Sequence, residues 1–202
     1  MEYLKHLSKD KLLAAVLKRQ EPVKLKKHKN IYGHLCASIV SQQLSTKVAR
    51  VIHQRFLDLY DGMEPQPEQV LETSVETMRA IGLSFSKASY IHNISRFALE
   101  QGLDAKKLHK MENEALIEYL TQIKGVGRWT VEMQLMFTLA REDVFAVDDL
   151  GIQQAMIGIY KLKTVDKKKL KEKMLKISSA WSPYRTYACL HLWHWKDTVK
   201  DR

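Results

Sequence analysis

The segment Lys124-Gly-Val-Gly-Arg-Trp-Thr130 has the residue types and spacing to bind an anion through bare backbone. Gly125 and Gly127 flank Val126, so the chain can take left-handed turn conformations while one apolar residue plugs the joint. The N–H groups of Gly127, Arg128 and Trp129 would then open a helix with the positive end of its dipole behind them, where a phosphate is the natural guest. Two glycines alone read better as an ordinary helical connection. Twenty-two residues beyond Gly127, however, Asp148-Asp149 opens another apolar run, Leu-Gly-Ile-Gln, after a segment too short to be a linker. An aspartate there is first a helix cap. Capping also holds its carboxylate rigid and partly desolvated, so that it can serve chemistry as well.

The elements that must position these residues are helices. Leu116, Ile117, Leu120 and Ile123 share one helical face before the turn, and Val131, Leu135 and Leu139 recur at spacing four after it, giving a helix-hairpin-helix over about residues 112–140. Upstream, Ser8 reads as the N-cap of a helix whose buried stripe is Leu12, Leu13, Val16 and Leu17, ended by Pro22. Two helices follow between Ile31 and Tyr60, joined by Ser41-Gln-Gln-Leu-Ser-Thr46. Gly82 supplies a C-cap and Ser84 an N-cap for a helix to about Leu99. Asp166 caps a lysine-rich helix, and Trp181-Ser-Pro-Tyr-Arg-Thr-Tyr-Ala-Cys189 starts the last one. His191 and His194 lie near Cys189, but in so aromatic a helix they read as core or pocket lining, and no zinc is expected. With no strand candidate of useful length, the fold class is all-α, with about ten to twelve helices.

The 202 residues, 45% of them hydrophobic, suffice for a real core. A formal charge of +10 favours a polyanionic partner, a trait shared with ribosomal and membrane-surface proteins. Cys36 and Cys189 are too few for a disulfide framework or an iron-sulfur cluster. No run of 18 apolar residues occurs, so no membrane partner is expected. A cytoplasmic monomer, nucleoid-associated in a bacterium, is the default expectation.

From about Ile31 to Trp195 the chain resembles the helix-hairpin-helix DNA glycosylase superfamily, most closely its 3-methyladenine DNA glycosylase II branch. The resemblance rests on Gly125-Val-Gly-Arg-Trp-Thr130, on Asp149 at the following helix start, on Gln42-Gln-Leu-Ser45, on Gly82-Leu-Ser-Phe-Ser-Lys-Ala88 and on Trp181-Ser-Pro-Tyr-Arg-Thr-Tyr-Ala188. It implies two helical lobes, residues 1–30 with 142–202 and residues 31–141, with an active-site cleft between them. The implied reaction is hydrolysis of the N-glycosidic bond of an alkylated purine, 3-methyladenine or 7-methylguanine, flipped out of double-stranded DNA. Asp149 would stabilise positive charge on the sugar as the base departs. Gln43, beside Gln42, would wedge into the gap left by the flipped nucleotide. Ser84, Phe85 and Lys87 would lie at the opposite strand, against an equally weighted reading of that loop as plain helix punctuation. Lys124, Gly125, Val126, Gly127, Arg128 and Thr130 would form the DNA-facing hairpin.

Lyases of the superfamily carry a nucleophilic lysine in the position after Arg128. Here it is Trp129, which implies a monofunctional enzyme that leaves an abasic site. Cationic methylpurines suit electron-rich aromatic faces; Trp129 and Trp193, with Tyr32 and Tyr187 as weaker candidates, would supply them. No cofactor is implied beyond a structural Na+ or K+ held by backbone carbonyls of Thr121, Ile123 and Val126. Two readings compete with this one: a non-catalytic helix-hairpin-helix protein that binds DNA damage, and a glycosylase for oxidised or deaminated bases.

Overall fold

The computed structural model describes residues 1–163 and 166–200. Among them every regular element is helical: α1 (Glu2–Leu7), α2 (Lys11–Leu17), α3 (Ile31–Ser41), α4 (Thr46–Asp58), α5 (Pro67–Glu72), α6 (Val75–Ala80), α7 (Phe85–Glu100), α8 (Ala105–Lys110), α9 (Asn113–Thr121), α10 (Arg128–Met133), α11 (Leu150–Tyr160), α12 (Lys167–Ser178) and α13 (Arg185–Lys200). A π-helical turn, Gln134–Thr138, continues α10, and a 3-10 turn, Ser179–Trp181, follows α12. The thirteen helices exceed the expected ten to twelve because α1, α5, α6, α8 and α10 are only six residues each. No helix among the described residues is long and apolar enough to cross a membrane.

The chain divides into two compact units, Met1–Lys27 with Leu135–Arg202, and His28–Gln134. The second boundary thus falls inside the π turn, earlier than the 141/142 read from the sequence. Side chains on the two sides of it have different anchors. Gln134 donates to Ser38 Oγ at 2.7 Å and to the His34 carbonyl at 3.3 Å in the second unit. Phe137 packs its ring 5.8 Å from that of Trp193 in the first.

In the second unit α7 packs on α3, α5 and α6, around the fully buried Leu35, Ile39, Ile91 and Ile94. Short polar caps start helices of this unit, at Ser84 as the sequence suggests and also at Asn30, Ser45, Ser74 and Asp104, each accepting a backbone N–H of the helix that follows.

In the first unit α11 packs on α13, and α2 on both. Here one expectation is corrected. Asp10, not Ser8, caps α2, its Oδ1 accepting the Leu12 and Leu13 N–H groups, and Leu12 is exposed. Asp10 prevails because its second oxygen is also used, accepting Tyr160 OH at 2.7 Å and Trp181 Nε1–H at 3.0 Å. Ser8, a single hydroxyl, instead ends α1.

Candidate active site and nucleic-acid interface

α9 and α10 form the hairpin, and its two glycines turn out to differ. Gly125 has φ of +104°, and a Cβ there would overlap the Tyr90 ring of α7, so both backbone and packing demand glycine. Gly127 does not take the expected left-handed conformation: φ −92° and ψ 169° are extended backbone. A Cβ at 127 would meet nothing within 4 Å. The fold therefore leaves the surface over Gly127 bare without needing glycine for itself. As the N-cap of α10, Gly127 also brings no side-chain acceptor to the first turn, whose donors face outward by helix geometry. Val126 is buried as the plug, and Asn93 of α7 donates to the Lys124 carbonyl at 3.1 Å, tying the turn down.

The side chains of the hairpin divide between protein partners and solvent. Arg128 forms a two-bond fork with Glu114 of α9, at 2.6 and 2.9 Å, and its Nε meets Glu132 at 3.2 Å. The Glu114 hydrogen bond raises the guanidinium pKa and lowers that of its own carboxyl. Thr130 is buried, receiving the Gln42 amide at 3.5 Å. Lys124 and Trp129 are exposed, Trp129 at 41%. An indole that open is not core.

The α3–α4 junction carries the proposed wedge. Gln42 ends α3, and Gln43 sits at the exposed tip with φ of +57°, a conformation few non-glycine residues adopt without a functional or structural reason. Lys87, expected at DNA, has another job: its Nζ donates to the Val40 and Gln42 carbonyls at 2.8 and 2.7 Å, closing the C-terminus of α3. Burial there lowers its pKa. Ser84 caps α7 through the Lys87 N–H, while Phe85 beside it is 63% exposed. The punctuation reading thus accounts for Ser84, and Phe85 remains an open apolar surface.

Asp149 is the N-cap of α11. Its Oδ1 accepts the Ile152 N–H and Trp193 Nε1–H, each at 2.8 Å. Asp148 instead forms an ion pair with Lys171 of α12. The strap before them, 141–146, is clamped by the first turn of α13: Thr186 Oγ1 donates to the Arg141 carbonyl at 2.6 Å and accepts the Val144 N–H at 3.0 Å, and Arg185 grips Asp143 at 2.6 and 2.9 Å. That is the structural work of the Trp181-to-Ala188 segment. It fixes the approach to the carboxylate. Phe137 packs on Trp193, and Leu150, the residue after Asp149, is 66% exposed.

Two aromatic candidates are core residues instead. Tyr32 is buried with its hydroxyl 2.8 Å from Ser95 Oγ, and burial drives its pKa upward. Tyr187 stacks on Tyr3 at 4.1 Å and donates to Glu142 at 2.7 Å. Helical periodicity places aromatics on an inner face without saying which inner face opens to a ligand. Sequence reasoning also missed Tyr90, Asn93, Glu114 and Gly151 as supports. Gly151 alone left a signal, a glycine inside a helix start where alanine would be the better helix former.

A family model described as the HhH-GPD superfamily base excision DNA repair protein matches residues 36–180. The chain belongs to that superfamily. It is 36% identical over 185 residues to DNA-3-methyladenine glycosylase 1 of Schizosaccharomyces pombe, covering 91% of this chain and 80% of that one. Two solved structures are similar over nearly the whole chain. A DNA-3-methyladenine glycosidase from Bacillus halodurans superposes with a TM-score of 0.86 at 36% identity, over 100% of this chain and 92% of that one. The S. pombe 3-methyladenine DNA glycosylase in complex with abasic DNA gives 0.82 at 34%, over 96% and 95%.

Proposed function

We propose that this protein is a base-excision repair DNA glycosylase for alkylated bases, a monofunctional DNA-3-methyladenine glycosylase acting on double-stranded DNA. Membership of the base-excision superfamily and its relatives' names support the reaction class. The observation that carries the mechanism is Asp149, half-buried and held at a helix N-terminus by two donors on one oxygen. As the base leaves, positive charge develops at the sugar. A carboxylate already fixed and partly shielded from water stabilises it with little reorganisation. A methylated purine leaves readily because it carries positive charge itself, so the reaction asks little acid catalysis of the protein.

The remaining residues take the following roles. The bare backbone at Gly127 receives a DNA phosphate, its side chains standing aside. Gln43, displayed at its tip by the Lys87 clamp, fills the stack where the nucleotide has left. The exposed Trp129 offers an aromatic face to a cationic base, and its place after Arg128 supplies no amine for a Schiff base. A Na+ or K+ suits the carbonyls of Thr121, Ile123 and Val126: the Ile123 carbonyl accepts the Val126 N–H at 2.9 Å and, as a carbonyl, has a second lone pair to give.

The test is release of methylpurines from methylated duplex DNA by the wild type and by Asp149→Asn, with abasic-DNA binding and strand nicking measured alongside. The expected result is release that falls about a hundredfold or more in the variant, with binding kept and no nicking. Binding without release by either protein would leave a damage-binding module instead.

A further inference from the structure

The Asp149 carboxylate is held from two elements. The Ile152 N–H belongs to its own helix, so that bond is the cap itself. The Trp193 Nε1–H comes from α13, 44 residues along the chain, and reaches the same oxygen at the same 2.8 Å. A single cap bond leaves the carboxylate plane able to swing about it. A second donor from a separate helix removes that freedom.

Reaching Asp149 requires room that the sequence provides at Gly151. This glycine lies in the first turn of α11, and its backbone is not in the left-handed region. Glycine is a poorer helix former than alanine, so something else must require it. A Cβ there would stand 2.9 Å from Trp193 Cδ1, 3.1 Å from Trp193 Nε1 and 3.1 Å from Asp149 Oδ1. The missing methyl is the space the indole occupies. Gly158, seven residues on, repeats the arrangement, since its Cβ would lie 2.7 Å from Trp195 Cη2. Two glycines of α11 thus accept two tryptophans of α13.

We propose that Trp193, admitted by Gly151, is a positioning residue for Asp149, its indole N–H aiming the carboxylate rather than its ring merely lining a base pocket. This rests on the reading of Asp149 as the catalytic carboxylate. The charge beside it is already balanced, Asp148 being paired with Lys171. The neutral indole donor is therefore what α13 contributes to Asp149.

Trp193→Phe separates the two roles, because phenylalanine keeps an aromatic face and loses the N–H. The experiment measures single-turnover release of methylpurine, with abasic-DNA binding, for the wild type, Trp193→Phe, Gly151→Ala, the double variant and Asp149→Asn. Trp193→Phe removes one of the two donors on Asp149 Oδ1. The rate at neutral pH falls roughly tenfold or more while binding stays within about twofold. Gly151→Ala, which presses on the same indole, loses a similar amount in the wild-type background and little more in the Trp193→Phe background. A wild-type rate in Trp193→Phe, or a loss confined to binding, would overturn the proposal, and so would fully additive losses. If Gly151→Ala fails to fold, Trp193→Phe alone decides. Asp149→Asn inactive with Trp193→Phe unaffected removes this proposal and leaves the enzyme reading standing; Asp149→Asn fully active removes both.

Discussion

Replacing Gly127 by alanine should separate DNA binding from stability. Its φ of −92° and ψ of 169° suit any residue, and the added methyl meets nothing within 4 Å. Two small effects on stability oppose each other. Alanine restricts the unfolded chain and stabilises by about 0.4–1 kcal/mol. It is also the poorer N-cap, by about 1 kcal/mol. The net change is within about 1 kcal/mol, or roughly 4 °C in Tm for a chain of this size. Binding should respond very differently, because the methyl stands where a phosphate approaches the first turn of α10. Loss of one charge-assisted backbone hydrogen bond, about 1.5–3 kcal/mol, weakens Kd roughly ten- to a hundredfold. Gly125→Ala is the contrast. There the left-handed backbone costs about 1–2 kcal/mol and the overlap with Tyr90 about 1–3 more, so it should melt well below the wild type. Thermal melts and abasic-DNA titrations at one fixed salt concentration read both effects. A Gly127→Ala protein that binds like the wild type, or that loses several kcal/mol of stability, would refute the assignment of that glycine to a partner rather than to the fold.

Two further outcomes follow from side chains the fold commits internally. Lys87→Met keeps the aliphatic stem but leaves the Val40 and Gln42 carbonyls without their donor, so the Gln43 tip should loosen. Faster amide exchange across residues 40–45 and a slower base-release step, with overall stability lowered by about 1–2 kcal/mol, are expected; unchanged exchange would show that the lysine does not hold the loop. His191, fully buried between Gln20 and Tyr3, has its pKa pressed down to about 4 from 6.5, by burial first and His194 second. The unfolded chain takes up that proton first as pH falls, so stability is unaffected above about pH 6.5. It is then lost progressively towards pH 4, by about 3 kcal/mol in all. His191→Asn, which can still donate to Gln20, should flatten that part of the stability–pH curve, as denaturant titrations at pH 7 and 4.5 would show.

What local sequence determined here is whatever depends on neighbours in the chain. The helices begin where Asn30, Ser84, Asp104, Asp149 and Asp166 can cap them, because an N-cap bond spans two or three residues. The hairpin is legible for the same reason, as is the plug Val126 between its glycines. Where two caps competed, at Ser8 and Asp10, local pattern failed. The deciding partners, Tyr160 and Trp181, lie 150 and 171 residues away from Asp10. Distance along the chain likewise hid the uses of Lys87, which closes α3, and of Arg128, which turns to Glu114. Tyr32 and Tyr187 show the remaining limit, since an aromatic on a buried face packs the core or lines a site according to which helix lies opposite. Composition and spacing therefore settled the helical class and displayed the hairpin and the carboxylate. Tertiary packing decided which of the candidate side chains are spent on the protein, because hydrogen bonds such as Trp193 to Asp149 exist only once separate helices meet.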